Sequence, residues 1–287
     1  MNAAVENYQR AREAQIHAMN LDDLEARGPA TRACKPALED AFRRLVEADQ
    51  TDAEVLFWIG CAFHTGWGTG RDRDTARGYF QRAADAGHVR AMTKLGMVLR
   101  HPDAPDLVSA FKWTLKAAAG GEPSAMLFAG FALQAGEGVE ANPSEAERWF
   151  LHALQHGEIR ALVYLGRVRH RYLRDPIAAK DWFQKAVDAG YEECMVDLAM
   201  LHGERSSPAY DSAESVRWYR AVANKPGASA YRALIALARA ARDGQGMTQD
   251  FSLAKSFLEV ALATIPVESS FRKEAAKLHS DMEDSLL

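Results

Sequence analysis

Residues 125–157, AMLFAGFALQAGEGVEANPSEAERWFLHALQHG, constrain the fold more than any other stretch of the chain. Ala125, Ala129 and Gly130 belong to one helix, Gly136 and Gly138 break it, and Asn142 and Pro143 open a second carrying Ala146, Trp149, Phe150 and Ala153. Two helices this short cannot bury a sufficient core alone, so such a unit needs copies of itself stacked on either side.

The copies are present. An apolar-then-small pair marks the first helix of six units: Ile59/Gly60, Leu95/Gly96, Ala129/Gly130, Leu165/Gly166, Leu198/Ala199 and Leu237/Ala238, recurring every 33 to 39 residues. One turn earlier stand Val55, Ala91, Ala125, Ala161, Cys194 and Ala233, small or medium residues that let two helices approach closely. Cys194 therefore reads as a packing residue rather than a nucleophile. The second helices share a register as well. Tyr79, Trp113, Trp149, Trp182, Trp218 and Phe257 each follow a small residue by three positions, and recurrence at one register reads as core. Four residues before each small one lies Asp72, Asp106, Asn142, Asp175, Asp211 or Asp250, all able to cap the first free N–H groups of a helix. Gly pairs at 66/68, 136/138 and 244/246 permit positive φ in the connecting turn of units one, three and six. Units two and four have shorter connections, which predicts turns of another kind.

The flanks read as caps. Residues 3–27 carry Val5, Tyr8, Ile16 and Met19 as a loose apolar stripe, and Gly28 with Pro29 is expected to stop that helical segment. Pro36 is expected to start the next helix, with Leu38, Ala41, Phe42 and Leu45 on one face, and Thr51 with Glu54 forms a capping-box pattern for the one after. Beyond Pro266, Phe271, Ala275, Leu278 and Met282 give a last helix one apolar face, as a terminal cap requires. The expected organisation is a helical cap or degenerate half-repeat over 1–52, six repeats over 53–265 and a capping helix over 266–287.

Composition excludes several classes. A net charge of −4 argues against a general nucleic-acid binder. Three cysteines without CxxC spacing give neither a disulfide framework nor a zinc cluster. No phosphate-loop, H-E-x-x-H or G-x-S-x-G motif is present, so no catalytic residue, cofactor or metal is expected. His152 and His156 share a helix face, but only Glu158 could join them as a ligand, and a zinc site needs more. With no leader-like or membrane-spanning apolar run, the expectation is a cytoplasmic protein.

A unit reading A-x-x-x-L-G, then G-x-G, then an Asp-capped A-x-x-W/Y-F-x-x-A-A and a closing A-G resembles the Sel1-like repeat, a relative of the tetratricopeptide repeat. Besides the 125–157 copy, the clearest is IGCAFHTGWGTGRDRDTARGYFQRAADAG, from Ile59. Departures occur three residues after the small position, where Arg169 and His202 replace the usual aromatic and call ideal packing into question. The resemblance implies an all-α, right-handed α-solenoid of six helix-turn-helix repeats, and a non-enzymatic scaffold that binds proteins, in bacteria as regulator, adaptor or immunity protein.

By analogy with tetratricopeptide geometry, the first helices line a concave face. The sites expected there include Phe57, Arg90, Met97, Arg100, Phe131, Arg160, Arg167, His170, Met200, Arg232, Arg239 and Arg242. Seven arginines among apolar residues, in an acidic chain, suit an acidic, amphipathic protein segment bound bidentately by guanidinium forks. The alternative is a nucleic-acid or phospholigand binder using the same arginines. The acidic total favours the first.

Overall fold

A computed structural model describes residues 2–20, 24–102 and 105–284, with the backbone alone for 24–31 and 284. Among the described residues there are fifteen helices and no strand. An N-terminal hairpin, α1 (Ala3–Met19) and α2 (Leu24–Glu47), precedes six helix pairs. These are α3 (Ala53–Thr65) with α4 (Arg73–Asp85), α5 (Val89–Leu99) with α6 (Leu107–Ala119), and α7 (Pro123–Ala135) with α8 (Pro143–Gln155). Then come α9 (Ala161–Arg171) with α10 (Pro176–Asp188), α11 (Cys194–Gly203) with α12 (Ser212–Ala223), and α13 (Ala228–Asp243) with α14 (Phe251–Thr264). A last helix, α15 (Ser270–Asp284), follows. The chain forms two compact units, Met1–Trp149 and Phe150–Leu287, the division falling within α8.

All six expected caps are made. Asp72, Asp106, Asp175, Asp211 and Asp250 each accept a bond from a backbone N–H in the first turn of the following helix. Asn142 does the same for the N–H of Glu145, at 3.1 Å. The small register is fully buried too: Val55, Ala91, Ala125, Ala161, Cys194 and Ala233 have no exposed surface. Burial pushes the Cys194 thiol up to about 12, which keeps it protonated and inert at neutral pH.

The aromatic register requires a correction. Tyr79, Trp113, Trp149, Trp182, Trp218 and Phe257 are only half-buried. The core position is the next residue, where Phe80, Phe150, Phe183 and Leu258 are fully buried. The physical reason is in the first helices. A Cβ on Gly60 would lie 2.8 Å from the Phe80 ring, and one on Gly166 would lie 2.4 Å from that of Phe183, so each glycine is a seat for a phenylalanine. The neighbouring indoles lie across the helix surface instead, and Trp113 and Trp182 carry Lys116 and Lys185 over their faces at 4.1 and 4.4 Å.

Turn chemistry follows the glycines. Gly66, Gly136 and Gly244 end their helices in the left-handed conformation. A Cβ on Gly138 or Gly246 would fall 2.0 Å from the carbonyl oxygen of Leu107 or Ser212, so the second glycine lets the turn rest on the preceding helix pair. The short turn of repeat four differs as expected: Arg174 adopts φ 55° without being glycine. In repeat two, residues 103–104 of the turn lie outside the described residues.

Two expectations at the N-terminus are corrected. Helix α2 continues through Gly28, Pro29 and Pro36. Proline removes one backbone bond and crowds the carbonyl four residues back, but Pro36 lies in an exposed turn open to water. The following turns are held by buried Leu38, Ala41 and Leu45, in one core with Val5, Tyr8, Phe57 and Phe80. The N-cap of α3 is Asp52, which accepts from Glu54 N–H, rather than Thr51, whose hydroxyl turns to Asp49. Within this stripe Ile16 is half-buried and Met19 is exposed. At the other end, Ala275, Leu278 and Met282 of α15 are buried against α13 and α14, with Phe271 packed beside them.

Candidate functional site

The expected binding positions fall into three groups. Phe57 is no surface residue: it is 1% exposed, stacked on His88 at 4.5 Å and roofed by the Arg90 guanidinium at 4.8 Å. Its ring is spent on the core, and Arg90 on covering it. Met97 and Met200 are exposed, and Phe131 is half-buried beside Phe128.

The third group is the cations, and most already hold a carboxylate of the chain. In the first unit, Arg100 pairs with Glu137. In the second, Arg160 grips Glu158 with two bonds of 2.8 and 2.9 Å, and Arg167 reaches Asp197 at 2.9 Å. There too His170 lies 3.1 Å from Glu204, Arg239 reaches Glu274 at 2.8 Å, and Arg242 grips Asp243. Burial works against the charge of Arg167, but Asp197 outweighs it and holds its pKa above the ordinary value. Four of these carboxylates, Glu137, Asp197, Glu204 and Glu274, come from the next helix pair or from the cap. Reading the arginine register alone therefore misses them. Their signal lies 30 to 37 residues downstream, one repeat on.

The departures at Arg169 and His202 are absorbed by the same means. Arg169 bonds the cap carboxylate of Asp175 at 3.1 Å, and buried His202 donates through Nδ1 to the Ala209 carbonyl at 2.8 Å. Glu158, the third residue considered as a metal ligand, has both carboxylate oxygens on Arg160.

Arg232 stands apart. Among the described residues it has no carboxylate partner; its guanidinium lies 3.8 Å from the Met200 sulfur and 5.8 Å from the Phe271 ring centroid. It sits at the mouth of a cleft of about 260 Å³ lined by Met200, Tyr219, Ile235, Arg239, Phe271 and Glu274, between α11, α12, α13 and α15. A second hollow of about 290 Å³ adjoins it, sharing Met200, Tyr219 and Arg239. The half-buried Tyr219 lines this cleft together with Arg232 and Arg239; burial raises its phenol above the ordinary value, and the two cations pull the other way. Tyr219 and Phe271 were not expected here. Their signal is faint: tyrosine where three other repeats have phenylalanine, opposite Ala199 where four have glycine.

With this geometry in place, the relatives can be read. The Sel1 repeat model matches residues 53–88, 89–122, 123–158, 160–191, 192–225 and 232–263. The chain belongs to the Sel1 repeat family. Sel1 repeat proteins are protein-interaction scaffolds; five of the matched segments contain a whole helix pair, and the sixth covers all but the first turn of α13 and the last residue of α14. Among solved structures, the chain is similar to a Sel1 repeat protein from Oxalobacter formigenes, at 22% identity and a TM-score of 0.66, over 94% of this chain and all of that one. It is also similar to c5321, a protective antigen of uropathogenic Escherichia coli, at 19% identity and a TM-score of 0.70, over 98% of this chain and 58% of that one. Yeast Tom70 is a more distant likeness, at 14% identity and a TM-score of 0.54, over 99% of this chain and 57% of Tom70. These likenesses show the fold alone. No curated protein matches the chain. Among the described residues, no helix of this Sel1 protein is long and apolar enough to cross a membrane.

Proposed function

We propose that this Sel1 repeat protein is a non-catalytic scaffold that holds a segment of a protein partner against the first helices of its repeats. The observation that carries the reading is the cleft of the second unit. There Met200, Tyr219 and Phe271 offer apolar surface beside an arginine that has no carboxylate partner among the described residues. Aromatic and arginine side chains in partly desolvated pockets supply most of the binding energy at protein interfaces. Met97 and Phe131, with Arg100, belong to the corresponding face of the first unit and are proposed as secondary contacts there.

Internal pairing speaks against the nucleic-acid or phospholigand alternative. Arg100, Arg160, Arg167, Arg239 and Arg242 each hold a carboxylate, so a phosphate backbone would have to displace several ion pairs at once. The regulatory and immunity roles implied by the family resemblance are two settings for the same scaffold, and the partner's identity decides between them.

The test is capture from lysate followed by titration of the purified chain with the purified partner. Met200→Glu is expected to weaken binding by at least tenfold, whereas Arg148→Glu, an exposed change on α8, leaves it unchanged. Binding that collapses as salt rises, with RNA competing, would overturn the reading in favour of phosphate recognition. Failure of any purified protein to bind directly would overturn it outright.

A further inference from the structure

We infer that the cleft between α11, α12, α13 and α15 is a docking site for one apolar side chain of a partner segment, flanked in that segment by an aspartate or glutamate. The inference deepens the scaffold reading and rests on it for the existence of a protein partner. Its content, however, comes from the charges and surfaces of the cleft.

The charge ledger is specific. Arg239 is occupied by Glu274 at 2.8 Å, and Glu204 by His170 at 3.1 Å. Arg232 is left over: it is exposed, lies across Phe271 and against the Met200 sulfur, and has no carboxylate partner among the described residues. A guanidinium held in place by an aromatic face and a thioether, without an anion, is complementary to a carboxylate arriving from outside. The walls supply the other half. Met200 is 37% exposed, Ile235 forms the buried floor, and Tyr219 and Phe271 stand half-buried to either side. Hollows of about 260 and 290 Å³ fall just below the roughly 300–1,000 Å³ of small-molecule sites. That size suits an anchoring side chain whose backbone remains outside. Methionine is an adaptable lining for such an anchor, because its unbranched thioether reshapes at little cost.

Occupancy can be read at the methyl group of Met200 in the intact chain labelled with 13C at its methionine methyls. The probes are three capped dipeptides: N-acetyl-Leu-Asp-amide, N-acetyl-Leu-Asn-amide and N-acetyl-Ser-Asp-amide. The Leu-Asp probe is expected to shift Met200 saturably, and the other two to bind at least tenfold more weakly. Met19, exposed on α1, should not respond. Arg232→Gln should weaken the Leu-Asp probe at least tenfold, and Arg232→Lys should keep most of the affinity. Both variants change an exposed side chain, and methyl signals unchanged at the methionines other than Met200, whose sulfur Arg232 touches, show that they fold. Equal affinity for Leu-Asp and Leu-Asn, an indifferent Arg232→Gln, or a silent Met200 would overturn the inference. So would a Met200 signal that follows protein concentration rather than probe, since the occupant would then be a second copy of this chain. A silent Met200 in a chain that still binds a purified partner rejects the cleft and leaves the scaffold standing; a responsive Met200 with no protein partner does the reverse.

Discussion

Repeats four and five are built on one register and differ where their two helices meet. In repeat four, Gly166 leaves room for Phe183, whose ring is fully buried at the point where a Cβ would stand 2.4 Å away. In repeat five, Ala199 supplies that Cβ, and the aromatic opposite is Tyr219, half-buried and turned to the cleft. Ser215 fills part of the gap, its hydroxyl donating to the Ala199 carbonyl at 2.7 Å. The same register position holds a fully buried phenylalanine in repeat four and a cleft-lining tyrosine in repeat five. A repeat protein can thus place a binding feature at one step of its stack without changing its fold.

The sharpest way to break this comparison is truncation of the two aromatics. Phe183→Ala empties a sealed seat and should cost about 3–5 kcal/mol in thermal or denaturant unfolding. Tyr219→Ala, half in water already, should cost only about 1–2 kcal/mol. Equal losses would mean that Tyr219 is core.

Arg167 links the two repeats through Asp197. Arg167→Glu sets a second carboxylate against one that is 8% exposed. We expect a loss of about 2 kcal/mol, below the ~3–5 of a fully buried pair because Arg167 keeps a third of its side chain in water. This change therefore cannot serve as a stability-neutral probe of partner binding, and a thermal midpoint unmoved by it would refute the pairing.

Exchanging the small residues sharpens the contrast further. Gly166→Ala should destabilise by about 1–3 kcal/mol through overpacking against Phe183, despite the better helix propensity of alanine. Ala199→Gly should lose only about 1 kcal/mol, the helix penalty of glycine. The smallest effect is a pH dependence at the junction of the two repeats. A hydrogen bond from His170 holds the Glu204 carboxyl below its ordinary value of 4.5. A depressed carboxylate adds stability above that value and loses it as pH falls through the folded-state pKa. The difference in thermal midpoint between wild type and Glu204→Gln should accordingly shrink on acidification below about pH 4. A gap that widened with acid would contradict the sign.

Most of the fold was legible because its signals are local. A cap such as Asp211, a turn glycine such as Gly136 and the buried spacing of Ala161 with Leu165 each lie within a few residues of what they control. The family assignment follows from the same local signals repeated six times. The candidate site was legible only in part. Met200, Arg232 and Arg239 were expected from their register, but the carboxylates that neutralise neighbouring arginines sit a repeat away, and register alone cannot pair them. Phe271 reads as cap core, and only the packing of α15 brings its ring to Met200 and Arg232. The continuation of α2 through Pro36 was illegible for a related reason: local propensity argues for a stop, and tertiary burial of Leu38, Ala41 and Leu45 decides otherwise.

The claim that repeat five is open where repeat four is sealed can be tested by giving it the other's residues. The double variant Ala199→Gly, Tyr219→Phe recreates the glycine–phenylalanine seat within α11 and α12. Titrated with N-acetyl-Leu-Asp-amide, its Met200 methyl is expected to lose the saturable shift of the wild type, with the thermal midpoint held or raised. A Met200 response of undiminished affinity in that variant would contradict the account.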